Sequence, residues 1–508
     1  MVYLRRRVLV ESLVIRTQGN TSIPQLLTVP NPPVRVQGNI TFQSDDTAHP
    51  IQLTVSQAFG ALRAEDEPWL EHCFIAPANF ERIVSNRSEV VFGSIGSGKT
   101  ALYETIKHQN VGPTGEPIRL LIDWRIAAPA AIDPEQTSSV VHNQVQRMFD
   151  LCAVQLATHI AYFPGQFAAA PERVQQRINW FVQTYVVGHP EIRLGHLIDR
   201  NLPGSLVLGA LLASKPPSIL HPDAAPQETI NELTIGLERI GLQGVWFLMD
   251  DIEVNIQNDE KLMLDQINAL LSTLPLFERS NFSFKIFIPE RFEGVISRMS
   301  GFERRRISSL RLKLELSDLQ RIVNKRLQLV TGISDFHLGR LYPENEIMTW
   351  LQAVGGSSPR VWLDQVYPLI NHYLARGLDR MLTQMEWDTL RKEHPPQFFY
   401  FPDRRQLFVG GQEKSLDIVP PNVLNMLAYL WDHSNLIISR EELYFLGFKS
   451  GLQSIPKPGD NDYESPQDYR GSLDTAVWRL RHAIEPDPKF PVLIESKRGH
   501  GFLLHVRF

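Results

Sequence analysis

The amino-acid sequence predicts a multidomain protein built on an α/β core with a parallel sheet. Three observations predict it. Apolar runs at Glu89–Phe92, Ile118–Trp124, Val245–Met249 and Phe282–Ile288 alternate with helical stretches, the pattern of strands covered on both faces by helices. The first of these runs feeds a glycine-rich turn, GSIGSGKT at 93–100, and a helical pattern follows at Ala101–His108. A composition break at His394-Pro-Pro-Gln397 precedes a segment, 397–508, with its own strand and helix pattern.

Taken in order, residues 1–64 form a small β-rich segment, because VRVQGNITF and IQLTV alternate with Pro, Asn and Gly turns. The start, MVYLRRRVLVESLVI, is read as a strand with a basic edge and not as a signal peptide; Glu11 interrupts the apolar run and no small-residue cleavage site follows. Residues 65–315 form the α/β core. Helical periodicity over Glu65–Ile83 carries the aromatic anchors Trp69, Phe74 and Phe80. A helical insertion, about 125–240, separates the second and third core strands and is broken by Pro164, Pro171, Pro190, Pro203 and Pro216-Pro217. A helix is expected near 259–273 and helices again to 392, so that 316–393 forms a helical lid.

The chain has 508 residues, room for roughly two to four domains at the usual domain size. It is 43% hydrophobic and 21% charged, an ordinary globular composition, and its net charge of −5 confines any nucleic-acid surface to a local patch. Two cysteines, Cys73 and Cys152, cannot build a zinc cluster, and so few thiols fit a cytoplasmic location. No run reaches the ~18 apolar residues of a membrane span, so no membrane partner is expected.

GSIGSGKT fits G-x-x-x-x-G-K-[ST] in full. Gly93, Gly96 and Gly98 let the backbone turn tightly, so that the N–H groups of Ser94, Ile95, Ser97, Lys99, Thr100 and Ala101 can point at phosphate oxygens. Lys99 supplies a mobile cation for the β- and γ-phosphates, and the Thr100 hydroxyl a magnesium ligand. VWFLMDD, 245–251, is a buried strand ending in carboxylates: Asp250 for magnesium, Asp251 or nearby Glu253 for the attacking water. Arg291 closes the SFKIFIPERF strand, Arg304, Arg305 and Arg306 cluster after it, and Arg360 opens a helix at GGSSPR; a permanently charged guanidinium suits a γ-phosphate. The expected ligand is ATP with Mg2+; nothing in these residues separates it from GTP.

The P-loop, the DD-ended strand, the strand with a terminal arginine, RISSLRLKLELSDLQRIVNKRL and the G-x-x-P-R helix start together resemble the AAA+ and STAND ATPases over about 65–392. The resemblance implies a P-loop NTPase core with slow, switch-like ATP hydrolysis. It places Arg291 as a strand-tip sensor, Arg304–Arg306 as the arginine-finger region and Arg360 as the lid sensor. The long insertion departs from that pattern.

Residues 397–508 resemble the OmpR/PhoB-type winged-helix domain. FFYFPDRRQLFVGGQEKSLDIVP reads as antiparallel strands with a Gly410-Gly411 turn, and PPNVLNMLAYLWDHSNLIISREELYFLGF as two helices with Ser439 as N-cap and Glu442 three residues on. LDTAVWRLRHAIEP, 473–486, follows the family's recognition helix, with apolar residues at 473, 477, 480 and 484, and VLIESKRGHGFLLHV its wing. The resemblance implies double-stranded DNA as partner. Arg479 and Arg481 would meet phosphate, Thr475 and Ala476 base edges, Lys497 and Arg498 the wing contacts, with Arg470 just before the helix. Gly471 and Ser472 stand where the family often has a basic residue. The loop 451–468, with Asp460, Asp462, Glu464 and Asp468, departs as well, and this acidic loop or the insertion is a candidate protein-binding element.

The leading expectation is an ATP-dependent DNA-binding regulator, acting in transcription or in defence or mobile-element sensing, with homo-oligomerisation on ATP. The alternatives are a DNA remodeller or loader that uses hydrolysis on DNA, and a signalling scaffold whose winged helix binds protein.

Overall fold

The computed structural model describes residues 53–60, 63–113, 115–125, 137–216, 218–220, 224–250, 260–274, 281–299, 302, 307–377 and 379–507. The chain divides into two units, Met1–Thr41 and Phe42–Phe508, and every described residue belongs to the second.

Five parallel strands form the central sheet: β1 Glu89–Gly93, β2 Leu120–Asp123, β3 Val245–Met249, β4 Phe282–Pro289 and β5 Ser308–Arg311, in the order β2-β3-β4-β1-β5. β4 therefore lies between the strand that feeds the glycine loop and the strand that ends in acid, with Val90 opposite Ile286 and Phe247 opposite Phe284. β1, β3 and β4 are buried along their whole length, as their predominantly apolar sequences favour. β5 is a fifth strand within the stretch expected to be helical. It is short, and Leu310 is its buried residue.

Lys285 interrupts the apolar run of β4. It is fully buried, its ammonium donates to the carbonyl oxygens of Ser85 and Arg87, and it lies 4.8 Å from the Trp246 ring centre. Burial pushes its pKa down to about 7. The bonds fix the turn that leads into β1, and with it the start of the glycine loop.

Helix α1, Lys99–His108, covers one face of the sheet through Leu102 and Ile106, against Val91, Leu248 and Phe287. The other face packs on the insertion: α2 Thr137–Tyr162, α3 Pro164–Ala169, α4 Glu172–Tyr185, α5 Pro190–Asp199, α6 Ser205–Ala213 and α7 Pro226–Arg239, together with α8 Glu260–Thr273. The insertion shares its core with the sheet, through Met148, Phe149, Phe181, Phe247 and Ile286. Asp150 ties its helices, accepting from the Arg193 guanidinium and from the Val187 N–H at 2.8 Å.

The lid consists of α9 Leu316–Thr331, α10 Glu344–Gly355, α11 Pro359–Ala375 and α12 Gln384–Glu393. The segment ahead of β1 is shorter in its helices than its periodicity suggests: turns at Ala64–Asp66, Leu70–Cys73 and Phe80–Ile83. Leu53–Val55, expected as the end of a strand, instead leads into a helical turn at Ser56–Gly60, because the Thr54 hydroxyl accepts the Gln57 N–H and the Gln57 side chain accepts the Thr54 N–H. The remainder of the β-rich expectation, 1–52, lies outside the described residues.

The C-terminal unit has two antiparallel sheets: β6 Phe398–Phe401, β7 Gln406–Val409 and β8 Gln412–Lys414, then β9 Ile437–Ile438, β10 Ile494–Lys497 and β11 Gly501–Leu504 in the order β10-β11-β9. Between them stand α13 Pro421–Asp432, a helical segment Arg440–Lys449 and α14 Pro466–Ile484. Gly410 and Gly411 take φ of 57° and 78°, the turn expected at this hairpin. The Ser439 side chain caps the Glu442 N–H at 3.1 Å. α14 starts earlier than its apolar stripe suggests. Ser465 and Asp468 form a reciprocal cap ahead of Pro466, so Arg470, Gly471 and Ser472 lie inside the helix and the acidic loop ends at Ser465.

Lid and C-terminal unit share one hydrophobic cluster, which joins Val354, Trp362 and Leu363 to Phe398, Val409 and Leu473. Arg507 pairs with Asp364 on α11, and the Arg391 guanidinium of α12 lies 4.0 Å from the Phe490 ring centre.

Candidate functional site

β1 delivers the chain to the glycine loop. Gly96 and Gly98 have φ of 76° and 93°, and Gly98 is the N-cap of α1. These left-handed angles are why glycine stands at both positions. The Lys99 ammonium folds back over the loop, donating to the Gly93 and Ser94 carbonyls at 2.9 and 3.0 Å. The Ser97 hydroxyl is buried with no partner among the described residues. The Thr100 hydroxyl donates to Asp250 Oδ2 at 2.8 Å, so the glycine loop and the tip of β3 meet at one point.

A hydroxyl beside a carboxylate is a donor set for a hard cation that keeps oxygen ligands from phosphate and water. No cluster of three or more His, Cys, Asp or Glu side chains suited to a metal occurs among the described residues.

The loop floors a cavity of about 260 Å³. It is lined by residues 95–101 and Asp250, by the apolar side chains of Leu70, Phe74, Ile75, Leu312, Leu314, Ile322 and Leu363, and by Arg360 from the lid. A lining that combines apolar side chains with Lys99 and Arg360 suits a ligand that carries both a flat apolar ring and negative charge. The lid reaches the loop itself: the Ser358 hydroxyl donates to the Gly96 carbonyl at 3.4 Å.

One part of the wall was not foreseen from sequence. Arg326 of α9 makes a two-pronged bond to Glu67, at 3.0 and 2.7 Å, and donates to the Ala58 carbonyl at 2.6 Å. Both side chains are buried, and burial raises the Glu67 carboxyl above its ordinary pKa against the pull of Arg326. The pair clamps the segment before β1 to the lid across the cavity. Glu67 and Arg326 lie far apart in the chain, and although Arg326 falls within the RISSLRLKLELSDLQRIVNKRL run, nothing in that run marks Glu67 as its partner.

Of the other residues expected at this site, Arg291 is exposed in the turn after β4, its guanidinium 4.6 Å from the Phe292 ring centre, and it lies outside the cavity wall. Asp251, Glu253, Arg304, Arg305 and Arg306 lie outside the described residues.

In the C-terminal unit, Leu473, Ala476, Val477, Leu480 and Ile484 form the buried stripe of α14. Ala476, expected at a base edge, is therefore a core residue. Arg470, Thr475 and Arg479 are exposed, and so is Arg498 in the turn between β10 and β11. Lys497 pairs with Glu495 at 2.7 Å. Arg481 points elsewhere: its guanidinium donates to the Ile494 carbonyl at 2.7 Å and to the Ser496 hydroxyl at 2.8 Å, bracing the helix against the hairpin. Glu485 completes the joint by accepting the N–H groups of Val492, Leu493 and Ile494. In the acidic loop, Glu464 is engaged by Lys449 and by the Tyr444 hydroxyl, and Asp460 accepts the Lys457 N–H.

No helix among the described residues is long and apolar enough to cross a membrane. No protein-family model matches the sequence, and no curated protein matches it. Two solved structures align along most of their length. One is the Aeropyrum pernix ORC2 protein in ADPNP–ADP complexes, 13% identical, covering 91% of this chain and 93% of its own, with a TM-score of 0.32. The other is the Aeropyrum pernix ORC1 protein in complex with DNA, 12% identical, covering 89% and 94%, also with a TM-score of 0.32. Both scores are low, and the likeness assigns neither a family nor an activity to this chain.

Proposed function

We propose that this protein is an ATP-binding and ATP-hydrolysing switch of the AAA+/STAND type that reads duplex DNA through a C-terminal winged-helix unit. The observation that carries the reading is the position of α11. Its N-terminal turn touches the glycine loop through Ser358 and lines the nucleotide cavity through Arg360. One turn later Asp364 holds Arg507 of the C-terminal unit, and the β7–β8 hairpin seats Gly410 against the Val354 carbonyl just ahead of the same helix. A change at the γ-phosphate end therefore has a short, packed route to the DNA-reading unit.

Bound ATP with Mg2+ supplies an electrophilic phosphorus and the charge that assembles the site. Lys99 exchanges its carbonyl partners for phosphate oxygens. Thr100 and Asp250 would hold the cation, Arg360 would read the terminal phosphate from the lid, and the apolar lining would receive the base. Asp251, or Glu253 nearby, orients the attacking water. Arg304–Arg306 act on the γ-phosphate across a homo-oligomer contact. Arg470, Arg479 and Arg498 supply the phosphate contacts on DNA. The switch regulates transcription, or senses invading elements.

The test is duplex binding measured against salt with a non-hydrolysable ATP analogue, with ADP and with neither. Sequence-selective binding that changes with nucleotide supports a regulator. ATPase stimulated by any duplex, with binding indifferent to sequence, supports a loader. No salt-dependent duplex binding in any state sinks both.

A further inference from the structure

We propose that Trp478 is a base-reading side chain of the C-terminal unit and that it reads the C5-methyl group of thymine in the major groove. The proposal rests on the DNA-binding reading above and assigns a residue that no motif singles out.

Trp478 is 59% exposed, while every other tryptophan of the chain is buried or half-buried. It lies at the centre of the water-facing stripe of α14, opposite the buried stripe that includes Leu473, Val477 and Leu480. Leaving a large apolar side chain in water forgoes on the order of 1.5–3 kcal/mol of burial, so the position is one where a partner returns a gain. The indole is also fixed in place. The His482 ring packs on it at 3.9 Å between centres, and His482 Nδ1 lies 2.8 Å from the Trp478 carbonyl oxygen.

The surroundings point to DNA as the occupant. Arg470 and Arg479 are exposed on the same helix and Arg498 on the adjoining hairpin. The acid on this stripe, Asp474, is taken up by Arg440 at 2.8 Å. An apolar centre with a cationic rim fits a base edge flanked by phosphates. The Thr475 hydroxyl is spent on the Gly471 carbonyl at 2.8 Å, and Arg481 on the hairpin. What a rigid indole offers a major groove is apolar contact, and the apolar group displayed there is the thymine methyl.

The experiment uses the full chain with Mg2+ and a non-hydrolysable ATP analogue. The preferred site is selected from random duplexes, and each thymine is then replaced by uracil, which removes only the methyl. At one or more positions uracil weakens the wild-type protein about fourfold, the size of one buried methyl. Trp478→Ala binds the thymine duplex more weakly and shows no uracil penalty, Trp478→Phe keeps part of it, and neither changes the salt slope. Arg479→Ala lowers the salt slope by about one and keeps the uracil penalty. A uracil penalty that survives in Trp478→Ala, a wild-type protein indifferent to uracil throughout, or undiminished DNA affinity in Trp478→Ala would each overturn the assignment. A wild-type protein with no salt-dependent duplex binding overturns the DNA-binding reading itself.

Discussion

The glycine-loop cavity and the C-terminal surface both present cationic side chains, and they use them in opposite ways. Around the cavity the charged groups converge. Lys99, Thr100 and Asp250 meet at the end of the sheet, and the Glu67–Arg326 pair is buried in the wall. On α14 and its hairpin they diverge: Arg470, Arg479 and Arg498 stand in water, while Arg481 and Lys497 are engaged by the protein itself. A small ligand with fixed charges demands a concave, precisely spaced set of groups. A polymer with a charge at every step is met by a dispersed set, in which a neighbouring arginine can serve as a strut.

The sharpest way to break the contrast is to disturb the buried pair. Glu67→Gln leaves the Arg326 guanidinium without its counter-charge and is expected to cost about 3–5 kcal/mol of stability, read from chemical denaturation. Replacing both partners, as in Glu67→Gln with Arg326→Met, is expected to restore much of the loss, because no charge then remains buried. A fully stable Glu67→Gln would show that the clamp is not closed in solution.

Next in size is the cavity's cation. Lys99→Ala is expected to lower affinity for an ATP analogue roughly 100-fold by calorimetry, the scale of a lost charge-assisted hydrogen bond. Retention of wild-type affinity would place the nucleotide elsewhere.

The two arginines of α14 sharpen the other side of the comparison. Arg481→Ala removes the brace to Ile494 and Ser496 and is expected to cost about 1–3 kcal/mol of stability while leaving the salt slope of DNA binding unchanged. Arg479→Ala is expected to do the reverse: no change in stability, and a slope smaller by about one. Equal effects of the two on DNA binding would contradict the division of labour.

The same contrast governs what the sequence makes legible. The strands at 89–93, 245–249 and 282–289 are mainly apolar runs, the first leading into a glycine motif, and each is a strand of the fold. The Gly410-Gly411 turn and the Ser439 cap are local signals that need no tertiary context. β5 escaped because Ser308–Arg311 has one buried residue and is a strand only by virtue of β1 beside it. The true start of α14 was written in Ser465-Pro466 and Asp468, yet those residues read equally well as the end of an acidic loop. Glu67 with Arg326, and Arg481 with Ile494, are pairings across the fold and have no one-dimensional signature. Trp478 had a faint one: a large apolar residue out of phase with the buried stripe of its helix.

The central claim is that one lid helix couples the glycine loop to a DNA-reading unit. The most direct measurement is duplex affinity with a non-hydrolysable ATP analogue against ADP, in the wild-type protein and in Asp364→Asn, which weakens the tie to Arg507 at the far side of that helix. The account predicts a difference of about tenfold or more between nucleotides in the wild type, a difference of about 1.4 kcal/mol or more. It predicts that this difference shrinks in Asp364→Asn while nucleotide affinity itself is unchanged. Equal duplex affinity in both nucleotide states of the wild type would contradict it.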